Sequence, residues 1–477
     1  MALSILRRLT PLALRTNLVP STSISCISEK PKRGWFPAGL WMSIMESSQR
    51  QGVRIMAHHI TLRSAQPLNA DIIVEAFRHL YRKSPPLRAC LKIHNEKLWI
   101  CEMKEEVIDF EELETSNPLR EVKSKISIPF KPLGPLWRVQ YLPLSLESLP
   151  PHTGLHLPYE CQLIIYIHHG ICDGWTCFRM WGTLIKIIND LMSGKPIDNK
   201  QLGEMCSEKG MANIKISLLG KVDNEELKKI YNARRKESLL LKAFKPPLVR
   251  NLSTGFILKH LDIAETQYFI QKCKKAGITI NSALVSIVNT AIVELVKQKM
   301  VEHEDFDISY NIAVDNRRYF QEDASDKLGC IVGILTHGMK TPVNVRDIFW
   351  DYAKDLHKSL SNSYNEAEHL QQEMLWERQQ SKDFSYEKYI SGIPPVLTDF
   401  FFSNPGDITK GFGSKGSQVE MTAMIPYISM PKLQTNGHLF HSYHGSLQYL
   451  FVFSEYYIDN CLAHRLADTV IDLIKTV

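Results

Sequence analysis

His168, His169, Asp173 and Gly174 carry the strongest chemical signal in this chain, within "IIYIHHGICDGW" (164–175). A neutral imidazole takes up a proton near neutral pH, so a histidine ending an apolar run is a candidate general base. Packing competes with that reading, because a lone histidine on an apolar strand is commonly a core residue. Successive side chains on a strand point to opposite faces. Both imidazoles therefore share one cavity only if the chain turns between them. One is expected to be structural, the other to sit where strand gives way to turn. Asp173 suits a helix N-cap and Gly174 a tight turn.

The surrounding elements follow from periodicity. "CQLIIYIHH" (161–169) reads as a buried strand. "GWTCFRMWGTLIKIINDLMSG" reads as a helix, with Phe178, Trp181, Leu184, Ile185, Ile188 and Leu191 on one stripe. Gly194 is placed to end it and Pro196 prevents resumption. Upstream, "RIMAHHITL" (54–62) predicts a strand and "NADIIVEAFRHLYRKSPPL" (69–87) a helix capped by Asn69 and stopped by Pro85. Downstream, "SALVSIVNTAIVELVKQ" (282–298) predicts a buried helix. "FDISYNIAVD" (306–315) alternates as a strand, "CIVGIL", "VLTDFFFS" and "SLQYLFVFS" add strands, and a helix closes the chain.

A chain of 477 residues exceeds one ordinary core. We divide it into a tail (1–34) that resembles a targeting segment, a first lobe (35–200), a connection (201–250) and a second lobe (251–477). A net charge of +6, without a long block of one sign, argues against nucleic acid as a partner. The ten cysteines form no CxxC pair, which suggests a reducing compartment rather than a disulfide framework. No apolar run reaches about 18 residues, so no transmembrane segment is expected. The expected location is cytoplasmic. The alternative is mitochondrial, since Arg7, Arg8 and Arg15 precede the first acid, Glu29.

Three other signals read as structure. "GFGSKG" (411–416) matches a dinucleotide pattern but has no helix after it, and is expected to be a hairpin loop. "HLFHSYH" spaces His438, His441 and His444 by three, which converges on a metal only on a helix; loop or strand is expected here. "AHH" (57–59) fits an ordinary strand, and Trp35, Phe36 and Trp41 are expected to pack against the fold.

The constellation H-H-x-x-x-D-G at a strand-to-helix junction resembles the signature of the chloramphenicol acetyltransferase-like superfamily. That superfamily includes condensation domains, alcohol acetyltransferases and wax-ester synthases. "ADIIVEAFRHLYRKSPPLRACL" (70–91), "KKAGITINSALVSIVNTAIV" (274–293), "IAVDNRRYF" followed by "KLGCIVGIL", and "FFFSNPGD" (400–407) resemble its further segments in order. The resemblance implies an α/β (α+β) fold of two lobes, each a mixed sheet with helices, forming a V with a central tunnel. It implies acyl transfer from a thioester to an alcohol or amine, with His169 as general base. His168, Asp173, Gly174 and Arg317 (or Arg318) would be structural at the site, and Ser403 and Asn404 would stand near the oxyanion. The expected partners are acyl-CoA as co-substrate and a small alcohol or amine, with no permanently bound cofactor or metal, in a monomer. Condensation on a carrier-protein thioester, and a non-catalytic two-lobed binding protein or scaffold, are the alternatives. No G-x-S-x-G elbow is present, and direct transfer requires no nucleophilic serine.

Overall fold

The computed structural model describes residues 36–477 apart from 95–96, 115–116, 144–156, 207–212, 216, 222–224, 249–251, 380–395, 413–417, 431 and 433. The tail (1–34) and Trp35 lie outside the described residues. The alternating segments of the first half become β1 (Ile55–Ser64), β2 (Phe110–Glu112), β3 (Trp137–Pro143) and β4 (Tyr159–His168). The second half supplies β5 (Thr254–His260), β6 (Asp305–Asp315), β7 (Val332–Pro342), β8 (Phe400–Ser403), β9 (Val419–Ile428), β10 (Asn436–Tyr443) and β11 (Ser446–Ser454).

These strands build two mixed sheets, one in the order β9-β1-β4-β3-β2 and one in the order β7-β6-β8-β10-β11-β5. β8 runs parallel to both β6 and β10, and the other strands of its sheet pair antiparallel. Along β6, Phe306, Ile308, Tyr310, Ile312 and Val314 are buried, whereas Asn311 is only half-buried. That alternation turns a polar face of the strand away from the core.

Helices cover the sheets: α1 (Leu40–Arg50), α2 (Ala70–Lys83), α3 (Gly174–Met192), α4 (Ile263–Ala276), α5 (Ile280–Val296), α6 (Phe349–Asn365), α7 (Glu368–Gln379) and α8 (Asn460–Thr476). Asn69 caps α2 by accepting from the Ile72 amide at 2.9 Å. α5 is apolar around most of its circumference, so it packs between α6 and α8 instead of lying on the surface. Among the described residues no single helix is long and apolar enough to cross a membrane.

Two apolar cores result, one under each sheet. The halves are also tied by exchange. β9 belongs by sequence to the second half yet pairs antiparallel with β1, from Val419 opposite Ser64 to Ile428 opposite Met56. Glu204–Met205, from the connection, pairs with Lys327–Leu328. "GFGSKG" therefore does not lie in a hairpin, because it joins β8 of one sheet to β9 of the other. Gly411 and Phe412 end a 3-10 turn packed on α3, and 413–416 lie outside the described residues.

Candidate active site

β4 ends at His168, and a 3-10 turn, His169–Ile171, begins at the next residue. That turn separates the two imidazoles. His168 is fully buried. Its Nδ1 accepts from the Gly170 amide at 2.9 Å, so Nε2 carries the proton and donates to Glu46 at 3.2 Å. Burial pushes the Glu46 carboxyl up, but His168 and Arg50 outweigh it and hold the group down at about 2. Glu46 also binds Arg50 at 2.6 Å and Gln49 at 2.9 Å, so His168 anchors α1 to the end of β4.

His169 is half-buried, and its Nδ1 lies 3.0 Å from the Cys172 carbonyl. A carbonyl only accepts, so Nδ1 holds the proton and the lone pair sits on Nε2. The Cys330 sulfur lies 3.7 Å from the same Nδ1. Burial lowers the imidazole pKa; the backbone hydrogen bonds and Asp173 oppose it, while the Arg54 guanidinium adds to the lowering. The ring is therefore neutral at neutral pH, as a base must be.

Asp173 caps α3, accepting from the Thr176 amide at 2.8 Å. Its second oxygen accepts from the Ile331 amide at 2.9 Å and from Arg317 at 2.8 Å. The Asp173 and Arg317 side chains are 1% and 8% exposed, so this is a buried ion pair between the halves. Arg317 also donates to Thr176 Oγ1 at 3.0 Å and to the Lys327 carbonyl at 3.2 Å. Thr176 Oγ1 in turn donates to the Gly329 carbonyl at 2.9 Å. Arg318 points elsewhere, over the Tyr319 and Tyr364 rings. Gly174 opens α3 with room around it.

Ser403 ends β8 and is half-buried, and the Asn404 side-chain Oδ1 accepts from the Gly406 amide at 3.0 Å. No hydrogen bond joins either residue to His169 among the described residues. His438 and His441 lie buried on β10 and His444 in the turn after it, at a φ of +48°, so the three do not converge. The nine described cysteines are free thiols.

A cavity of about 220 Å³ opens where the halves meet. Trp41, Ile44 and Arg54 line it from the first half; Asn311, Thr336 and Gln372 are among those lining it from the second. Of its charged and aromatic lining only Trp41 was singled out in the sequence, and as a packing residue. Glu46 shares the buried face of its helix with Met42 and Met45 but also with Ser48 and Gln49, so the pattern did not set it apart. Arg54 follows Gly52 at a turn and left no trace either.

Comparison with known proteins agrees with this architecture. Residues 224–390 match the alcohol acetyltransferase family. A search of curated proteins gave no match. Among solved structures, the TRI3 trichothecene 15-O-acetyltransferase of Fusarium sporotrichioides is 12% identical, with 92% of this chain and 94% of that one covered and a TM-score of 0.69. The first condensation domain of the calcium-dependent antibiotic synthetase is 11% identical, with coverage of 93% and 96% and a TM-score of 0.67. The condensation domain of the monacolin K polyketide synthase MokA is 11% identical, with coverage of 93% and 97% and a TM-score of 0.65. In fold, the chain is similar to these acetyltransferase and condensation-domain structures.

Proposed function

We propose that this chain is an acyltransferase that moves an acyl group from an acyl-CoA thioester to an alcohol or amine. The observation that carries the reading is the His169 tautomer. Its Nδ1–H is engaged by a backbone carbonyl at 3.0 Å, leaving a neutral Nε2 as the basic atom. Nε2 takes the proton from the acceptor O–H or N–H as that atom attacks the thioester carbonyl. The tetrahedral oxyanion collapses, the C–S bond breaks, and the departing thiolate recovers the proton from the imidazolium. An ester or amide and a free thiol remain, with no acyl-enzyme. Ser403 and Asn404 are the proposed neighbours of the oxyanion.

The match to alcohol acetyltransferases favours a free alcohol as acceptor. The similarity to condensation domains supports a second reading, transfer from a carrier-protein thioester. The test is thiol release from a panel of acyl-CoAs with alcohols and amines, beside the same panel of acyl-carrier proteins. We expect release from acyl-CoA and a loss of roughly 10²–10⁴-fold in His169→Ala. Release only from carrier thioesters would select the second reading. Release from neither above the variant's background would leave a binding protein.

A further inference from the structure

We infer that the cavity between the halves holds the anionic group of a substrate, a carboxylate or phosphate, against Arg54. This deepens the acyl-transfer reading and rests on it for the word substrate. Arg54 is held at a φ of +59°, a left-handed conformation that a side-chain-bearing residue adopts at a cost. Its amide is fixed by the Ser429 carbonyl at 3.0 Å, at the end of the exchanged strand β9. The strained backbone sets the guanidinium on the cavity wall, 5.9 Å from the centre of the Trp41 ring. There, Arg54 Nη1 is buried with no hydrogen-bond partner, and no carboxylate pairs with the side chain among the described residues. A buried cationic donor left unpaired is costly. A ligand that supplies an anionic oxygen removes that cost.

The rest of the wall agrees in charge. Arg235 also lines the cavity, stacked over Tyr231 at 5.4 Å, and no carboxylate among the described residues pairs with it. Glu373, which lines the cavity too, pairs at 2.9 Å with Lys215, an ammonium that it shares with Glu377 at 2.7 Å, so the lining sets two guanidiniums against one carboxylate. The cavity is thus cationic in balance. On the same lining, the Gln434 side-chain oxygen is buried without a donor. An anionic oxygen for Arg54 and an O–H or N–H for Gln434 describe a hydroxy acid, an amino acid or a phosphate-bearing thioester. The Arg54 guanidinium also adds to the lowering of the His169 pKa.

The experiment is calorimetric binding to the full chain of two matched pairs: 3-hydroxyoctanoate against its methyl ester, and coenzyme A against pantetheine. We expect the anionic member of at least one pair to bind more tightly by tenfold or more, as a charge-assisted contact implies (roughly 10–100-fold). Which pair shows the contrast identifies the source of the anion. Arg54→Met should abolish the contrast and Arg54→Lys should keep part of it. Equal binding within both pairs, or no binding by any of the four, overturns the inference without any variant. An equal weakening of both members in Arg54→Met, in protein that still melts cooperatively, also overturns it. Failure of thiol release from every donor would sink the acyl-transfer reading and leave this contrast standing.

Discussion

The proton on His169 Nδ1 is committed to a backbone carbonyl that no substitution can delete, so one nitrogen is left to titrate. Burial lowers the pKa of that ring from its ordinary 6.5. The active form is the neutral one, so the rate falls as pH drops through the lowered value. We expect kcat/KM to show one ascending limb with its midpoint below 6.5 and a plateau above it. A midpoint above 7 would mean that another group is the base. The partner histidine behaves differently: His168 spends both nitrogens on Gly170 and Glu46. His168→Ala should therefore lower stability, and a melting curve separates it from His169→Ala, which should melt close to the parent. The expectation that one imidazole is structural and the other sits where strand gives way to turn matches the ending of β4 at His168. Which one turns toward the acceptor depends on where β4 ends, and the sequence pattern alone does not fix that residue.

At the scale of elements, the junction between β4 and α3 is held from the other half of the chain. Asp173 serves two purposes there, as N-cap and as the anion facing Arg317. Asp173→Asn keeps the capping oxygen and loses the charge. Removing one partner of a buried pair costs about 3–5 kcal/mol. Asp315, 3.0 Å from Arg317, still offers a carboxylate, so the lower end is expected. Urea unfolding would measure it. A variant that stays as stable as the parent while losing turnover would remove the structural role. Gly182 tests another contact: a Cβ there would lie 2.3 Å from the Gly411 carbonyl oxygen, which is backbone and cannot swing aside. Gly182→Ala should cost about 1–3 kcal/mol by forcing α3 away from the turn that leads to β9. The helices were legible because their stripes and caps are local: Asn69, Asp173 and Gly194 all act within a few residues. The hairpin expected at "GFGSKG" implies a strand after it, but the partner of β9 was not legible. Pairing Val419 with Ser64 depends on contacts hundreds of residues apart, and periodicity carries no record of them.

At the scale of the whole molecule, the fold buries histidines that have no acid to pair with. Burial lowers His337 and His438 to about 3, and His369 and His441 to about 4. Each is uncharged in the folded chain and titrates at its ordinary 6.5 when unfolded. Their contribution to stability is therefore complete above pH 6.5. Below that value the unfolded chain binds protons that the folded chain refuses, and stability falls until the folded values are reached. Asp399 works the other way. Burial raises it to about 6, so the folded state takes up a proton that the unfolded chain binds only near 3.8, which adds stability as pH falls through that interval. His59 and His169 are lowered by burial as well, and Glu373 is raised like Asp399, so the histidines outnumber the carboxyls and leave a net loss, at about 1.4 kcal/mol per pH unit for each unmatched proton. The urea midpoint should thus hold steady from pH 8 to 7 and drop steeply between 6 and 5, well before carboxylates with ordinary pKa values begin to protonate. His438→Phe and His441→Phe fill buried positions of similar volume without a titrating group, and together they should flatten part of that slope. A midpoint that stays constant down to pH 5 in the parent chain would mean that these imidazoles meet acid by some relaxation that leaves them hydrated, and that the two cores are looser than their packing indicates.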